Sequence, residues 1–351
     1  MITTGDEVYW SGDGLATFSG TGTLETGGIR PALMDLERNM TVTRSRLLLS
    51  AIFTLAAALP SAAQVNDTYV IPAAINDAGA FGTRWMTQFS VFNPQQYPLT
   101  ITVVYLPTGG GQGIEEAFVV PANATRYSDN ILLDLFGVSR GSGSLLVATF
   151  QDENPTVPDD VISRAFLVTS NTYNDDPDGT YGQTIPGVWA GLQDYDSDGI
   201  SAIVHGVRNV SHLGWRTNIG AVNLGRTSVT MYVTVFDSDG RKQLDTAPFF
   251  IPPFAHFQDG LPIQIDRGTI EFFVDDPSGE AVVFPYAATI DQLSGDPTYH
   301  SPVLLASPGL IYAKKAMIEP TAIGTKIDRK LAAEARANAR TRGQLRTLHS
   351  R

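Results

Sequence analysis

The chain has 351 residues, room for two domains at roughly 100–200 residues each, and 43% of them are hydrophobic, which supplies a core and excludes global disorder. Its 36 acidic residues against 24 basic ones leave a net charge of −12, which excludes nucleic-acid binding through a broad basic face. The chain has no cysteine, so disulfides, thiolate catalysis, Fe–S clusters and Cys-ligated zinc are excluded, while its 33 Gly and 21 Pro suit many short strands joined by turns.

Residues 1–39 are rich in Gly and Thr, carry a net charge of −4 and precede a segment that should begin a chain. That segment opens at Met40. Arg44 and Arg46, the apolar run from Leu47 to Leu59, then Pro60 and Ser61-Ala62-Ala63 form the charged start, apolar middle and small-residue end of a secretory signal. We read 1–39 as a non-native upstream extension, with a genuine leader as the alternative, and 40–63 as a signal peptide cleaved near Ala63. The alternatives for the apolar run are a buried helix or a membrane anchor, but it is shorter than the roughly 20 apolar residues of a spanning helix. The expected mature chain, Gln64–Arg351, is therefore periplasmic or extracellular and has no transmembrane span.

Downstream the sequence repeats. Trp85-Met86-Thr87-Gln88-Phe89-Ser90-Val91-Phe92-Asn93 is answered by Trp215-Arg216-Thr217-Asn218-Ile219-Gly220-Ala221-Val222-Asn223, with Trp, Thr and Asn at the same spacing. Leu99–Leu106 and Val229–Phe236 follow as alternating strands, each ending in a Gly-containing turn, Pro107-Thr108-Gly109-Gly110 and Asp237-Ser238-Asp239-Gly240. Val119-Val120-Pro121 then matches Phe250-Ile251-Pro252, and Gly143-Ser144-Leu145 matches Gly268-Thr269-Ile270. Strands over 165–173 and 282–290 correspond, and both units close on Asp-Pro followed by Thr-Tyr. Leu132–Phe136 can form one helical turn between strands. The pattern predicts an all-β protein of two tandem immunoglobulin-like β-sandwich domains related by internal duplication, at 64–187 and 188–313.

Tyr69-Val70-Ile71-Pro72-Ala73-Ala74 and Gly79-Ala80-Phe81-Gly82-Thr83-Arg84-Trp85 carry a resemblance, with Asn93-Pro94, Ser170-Asn171-Thr172-Tyr173-Asn174, Gly179-Thr180-Tyr181-Gly182-Gln183 and Trp215–Gly220. Over residues 69–302 the chain resembles a family of exported bacterial proteins with tandem immunoglobulin-like, adhesion-related repeats. The resemblance implies an extracytoplasmic, non-catalytic module and transfers no functional residues.

Asp194-Tyr195-Asp196-Ser197-Asp198-Gly199 places oxygen ligands at alternate positions before a glycine, like the first half of a Ca²⁺ loop, but His205 stands where the bidentate Glu belongs. It reads first as an Asx-rich linker turn and second as a calcium site at Asp194, Asp196 and Asp198 completed by a carboxylate from elsewhere. The acidic loops Asn174–Gly179 and Asp237–Gly240 read as turns. The five His are scattered without HExxH spacing, and G-x-S-x-G, Walker and dinucleotide motifs are absent, so no catalytic residue is expected. Trp85 and Trp215 read as anchors of each repeat, with Asn93 and Asn223 capping strand ends through Asx turns. Tyr173, Tyr181 and Tyr299 lie near loops, where a glycan or protein could stack.

Residues 314–351 invert the charge, with ten Lys or Arg against three acids, net +7. This basic tail reads as disordered or partly helical over its Ala-rich part, or as an electrostatic contact to an anionic surface. The functional expectation is an exported non-catalytic protein for cell-surface adhesion, binding or assembly, with an envelope protein or glycan as partner and no nucleic acid. A Ca²⁺-dependent glycan-binding module and a secreted hydrolase with an unrecognised carboxylate pair are the alternatives.

Overall fold

Alternating apolar residues and turn-forming Gly, Asn and Asp give the chain its strands. The computed structural model describes residues 67–79, 82–176, 179–190, 200–275, 281–306, 331–341 and 348–350. The upstream extension, the signal segment and the Asp194–Asp198 loop lie outside the described residues. The fold is all-β with antiparallel sheets. In chain order the first half holds β1 (Thr68–Ala78), β2 (Arg84–Phe92), β3 (Leu99–Pro107), β4 (Gly113–Val120), β5 (Thr125–Ser128), a one-turn helix α1 (Ile131–Asp134), β6 (Gly141–Ala148), β7 (Leu167–Asp176), β8 (Gly179–Pro186) and β9 (Val188–Trp189). The second half holds β10 (Ile200–Asn209), β11 (Trp215–Asn223), β12 (Val229–Phe236), β13 (Lys242–Ile251), β14 (Ala255–Gly260), β15 (Ile265–Asp275), β16 (Val283–Asp291), β17 (Pro297–His300) and β18 (Val303–Ala306).

In the second half these strands form two sheets, ordered β13-β12-β15-β10-β18 and β14-β11-β16-β17. Their facing residues, among them Val204, Ile219, Met231, Val233, Phe272 and Val283, close into one buried cluster, as sandwich layers do. In the first half β4-β3-β6-β1-β9 and β5-β2-β7-β8 pair in the corresponding orders. Strand β1 joins the two layers. Thr68–Ile71 pairs with β6, the register shifts between Ile71 and Ala74, and Asn76–Ala78 then pairs with β2. Such a bulge lets one strand turn from one layer to the next. Phe89, Val91, Ile101, Val103, Phe118, Leu145 and Val168 fill the space between the layers.

A third apolar cluster joins the halves. Val70, Val104, Leu106, Leu146 and Ala148 on the outward face of the first half pack with Val222, Leu224 and Phe284 of the second, and with Ala332 and Ala335. The last two belong to a helix over residues 331–337. Beyond it β19 (Ala339–Thr341) runs parallel to β4, and β20 (His349–Ser350) pairs with β5, so the C-terminal segment lines an edge of each layer. Leu348 enters the first core. Covering an edge removes the unpaired backbone groups that would recruit another chain. Gln64–Arg351 forms one compact unit.

Candidate functional site

The residues singled out by the repeat occupy corresponding places in the two halves. Asn93 ends β2; its Nδ2 donates to the carbonyls of Tyr97 (2.8 Å), Val120 (3.1 Å) and Pro121 (3.2 Å), and its Oδ1 accepts from the Gln95 N–H at 2.9 Å. Asn223 ends β11; its Nδ2 donates to the carbonyls of Thr227 (2.9 Å), Ile251 (3.3 Å) and Pro252 (3.1 Å), and its Oδ1 accepts from the Gly225 N–H at 2.8 Å. Both are fully buried, and each side chain closes an Asx turn and ties β2 or β11 to the far end of the next hairpin. Thr87 and Thr217 are likewise matched, each hydroxyl lying 3.0 Å from a threonine across the strand pair, Thr172 and Thr289. The tryptophans differ. Trp85 is buried and so close to Gly79 that a Cβ there would come within 2.5 Å of the indole, whereas half-buried Trp215 lies under the Arg208 guanidinium at 4.4 Å.

The tyrosines also part company. Tyr173 on β7 donates from its hydroxyl to the Asp129 carbonyl at 3.1 Å, and Tyr181 on β8 is half-buried. Tyr299 lies on β17, stacks on Tyr286 at 5.7 Å and packs against the core of the first half, so it serves the junction. Among the described residues no group of three or more His, Asp or Glu is placed to hold a metal ion. No helix among them is long and apolar enough to cross a membrane.

At that junction a chain of hydroxyls meets one imidazole. His256 is fully buried, with Nδ1 2.7 Å from the Thr108 hydroxyl of the first half and Nε2 2.8 Å from the Tyr286 hydroxyl of the second. Tyr286 donates its own proton to Gln258 Oε1 at 2.8 Å, so its oxygen accepts from Nε2–H, and Nδ1 accepts from Thr108. Burial pushes the His256 pKa down to about 3, which keeps the ring neutral. Gly220 makes room for this arrangement, since a Cβ there would lie 2.3 Å from the Tyr286 ring. This hydrogen-bonded chain ties the first half to the second.

The C-terminal helix brings the charge. Arg336 donates from Nε to Glu115 (3.0 Å), from Nη1 to Asp152 (3.2 Å) and from Nη2 to Glu153 (2.7 Å), and its guanidinium lies 4.8 Å from the Phe150 ring. Burial raises the Glu153 pKa, while a hydrogen bond from Thr102 and the Arg336 charge work against that rise. Arg226 pairs with Glu334 from the second half, beside an open depression lined by Pro253, Phe254, Ala337 and Asn338. At least one base of the tail is thus engaged with this chain's own acids.

The second half carries the corresponding sheet face, and among the described residues no helix covers it. Residues opposite one another in register share a face, so Thr230, Tyr232, Thr234 and Phe236 of β12 look outward with Phe250 and Pro248 of β13, Glu271 and Phe273 of β15, Ile203 of β10 and Val303 of β18. Phe250 is 64% exposed, Val303 56% and Phe273 41%, whereas Val70, Val104, Leu106 and Leu146 on the corresponding face of the first half are at most 2% exposed; on the edge strand the halves agree, since Val119, which matches Phe250, is itself 44% exposed. Tyr232 and Phe273 lie 6.4 Å apart, beside Glu271, whose Oε1 accepts from Ser201 at 2.6 Å. Exposed aromatic side chains are enriched at contact surfaces, whereas carboxylates are depleted there. The sequence signal for this face was the doublets Phe249-Phe250 and Phe272-Phe273: neighbours on a strand point to opposite faces, so one ring of each pair must leave the core. No protein-family model and no curated protein matches the chain.

Proposed function

We propose that this is an exported, non-catalytic protein of two tandem immunoglobulin-like sandwiches, related by duplication, that serves binding or assembly at the cell envelope. The uncovered outward face of β13-β12-β15-β10-β18 is its contact surface. The observation that carries the reading is the pair of corresponding sheet faces, one sealed within the chain and the other presenting Tyr232, Phe250 and Phe273. The matched strand orders and the paired Asn93 and Asn223 networks support duplication. The sequence features of 40–63 support export.

The test is retention of the chain on its native envelope. Wild type and the double variant Phe250→Ser/Phe273→Ser are compared for the fraction that sediments with washed envelopes. A loss of most of the bound fraction is expected, with far-UV circular dichroism unchanged. Equal retention of both proteins would remove the contact surface from this reading.

A further inference from the structure

The first half displays how this fold covers an outward sheet face. A short helix lays small side chains, Ala332 and Ala335, onto Val104, Leu146 and their neighbours. Its Arg336 then reaches Glu115, the outward residue opposite Val104, and lies over the Phe150 ring. The same three ingredients recur on the uncovered face. Glu271 stands in the middle of the sheet on β15, opposite Thr234 of β12 and Ile203 of β10. Phe273 and Tyr232 supply rings one step along the strands, where a guanidinium can stack and bond the carboxylate at once. Asp275 adds a second exposed carboxylate two residues beyond, and the register partners of Glu271, Thr234 and Ile203, are uncharged, while Lys242 stands at the end of the face opposite Phe236 and pairs with Asp245.

Size fits one helix as well. Five strands spaced ~4.8 Å apart and four outward rows ~6.7 Å apart give a face of about 19 by 20 Å, enough for two or three turns of a helix about 10 Å across. Face-to-face pairing of two copies would bring together faces whose central charges are the carboxylates of Glu271 and Asp275. An anionic polysaccharide meets the same carboxylates.

We propose that the uncovered face of the second half receives a short basic helix of a partner protein, with small apolar side chains on the sheet and an Arg between Glu271 and Phe273. This rests on the reading of the face as the contact surface and names its occupant. The probe is a synthetic peptide with the sequence of residues 327–342, the basic, Ala-rich stretch that contains the covering helix, labelled for fluorescence anisotropy and titrated with the full chain. One saturable site with a Kd between about 1 and 100 μM is expected, weakening with salt as charge pairing requires. Phe273→Ser and Glu271→Gln are each expected to weaken it at least 10-fold, and Glu115→Gln to leave it unchanged. Failure to bind overturns the proposal. So does binding that responds to Glu115→Gln and not to Phe273→Ser, because the peptide would then be exchanging with the chain's own helix. Binding of a neutral glycan that Phe273→Ser abolishes would also overturn it. If envelope retention needs Phe250 and Phe273 but the peptide fails, the occupant is wrong and the contact surface stands.

Discussion

The two halves solve one problem in opposite ways. Each builds a five-stranded layer whose outward side is not needed for its own core. In the first half the outward places hold Val70, Val104, Leu106 and Leu146, and the 331–337 helix and the second half bury them. In the second half the corresponding places hold Ile203, Thr234, Phe236 and Glu271, with Tyr232 and Phe273 beside them. Aliphatic side chains of modest size suit a face that is always dry, since they pack densely and carry no polar atom to satisfy. Mixed Thr, Glu and aromatic side chains suit one that alternates between water and a partner, since rings offer contact area and polar groups tolerate solvent.

Breaking the sealed face should have the largest effect. Ala335→Asp sets a carboxylate against Val104 and Leu146, in a site where Ala335 is 1% exposed. An uncompensated buried charge costs roughly 3–5 kcal/mol, so urea unfolding should show a loss of that order. Arg336→Ala leaves Glu115 and half-buried Glu153 without their shared cation and should destabilise in the same direction by less. If Ala335→Asp unfolds like wild type, the helix is not what seals the first half.

The matched asparagines sharpen the comparison from the other side, because here the halves should respond alike. Asn93→Ala and Asn223→Ala each remove three carbonyl contacts and one N–H contact at a buried turn. Losses of about 2–4 kcal/mol are expected for each, similar in size. A large loss at one position and none at the other would mean that the two turns have diverged in what they support.

These asparagines also mark what the sequence made legible. Trp, Thr and Asn at fixed spacing, followed by an alternating strand and a Gly turn, sufficed to place β2, β3, β11 and β12 and to expect Asx turns at Asn93 and Asn223, because such signals are local. The junction was not legible. His256 and Thr108 stand 148 residues apart, and nothing in either neighbourhood announces that a buried imidazole will bridge them. The C-terminal segment was legible only in part: its Ala-rich stretch reads as partly helical and 331–337 is a helix, but its packing was not legible, because Ala332 and Ala335 are too small to register as an apolar stripe and fit because the sheet beneath them already carries the bulk. Charge counting likewise attributed to solvent or an outside surface an arginine that three acids of the first half engage.

The junction predicts a pH dependence of intermediate size. An unfolded histidine takes up its proton near pH 6.5, whereas burial holds His256 neutral down to about 3. Between those values the unfolded state binds more protons than the folded one, so this contribution to stability is lost as pH falls. One such group costs about 1.4 kcal/mol by pH 5.5 relative to neutral pH. Burial lowers the His300 pKa too, and the sign is the same. Unfolding free energies of wild type and His256→Gln between pH 7.5 and 5 should therefore converge as the medium becomes acidic, by about one proton's worth of slope. Parallel curves would mean that His256 is protonated in the folded chain.

The smallest effect is expected where the face is bare. Phe250→Ser and Phe273→Ser remove rings that are 64% and 41% exposed, so only part of each ring's apolar area is newly returned to water on unfolding, less for Phe250 than for Phe273. Losses of about 0.5–1 kcal/mol for Phe250→Ser and about 1–2 kcal/mol for Phe273→Ser are expected, smaller than the loss at Ala335 on the sealed face. Urea midpoints and slopes measured on the same day for all three variants decide this. If the phenylalanine variants lose several kcal/mol, Tyr232, Phe250 and Phe273 are part of the second half's own packing, and the difference between the two faces is one of degree. If they lose none, Phe250 and Phe273 contribute nothing to folding, and their exposure is explicable by what they contact outside the chain.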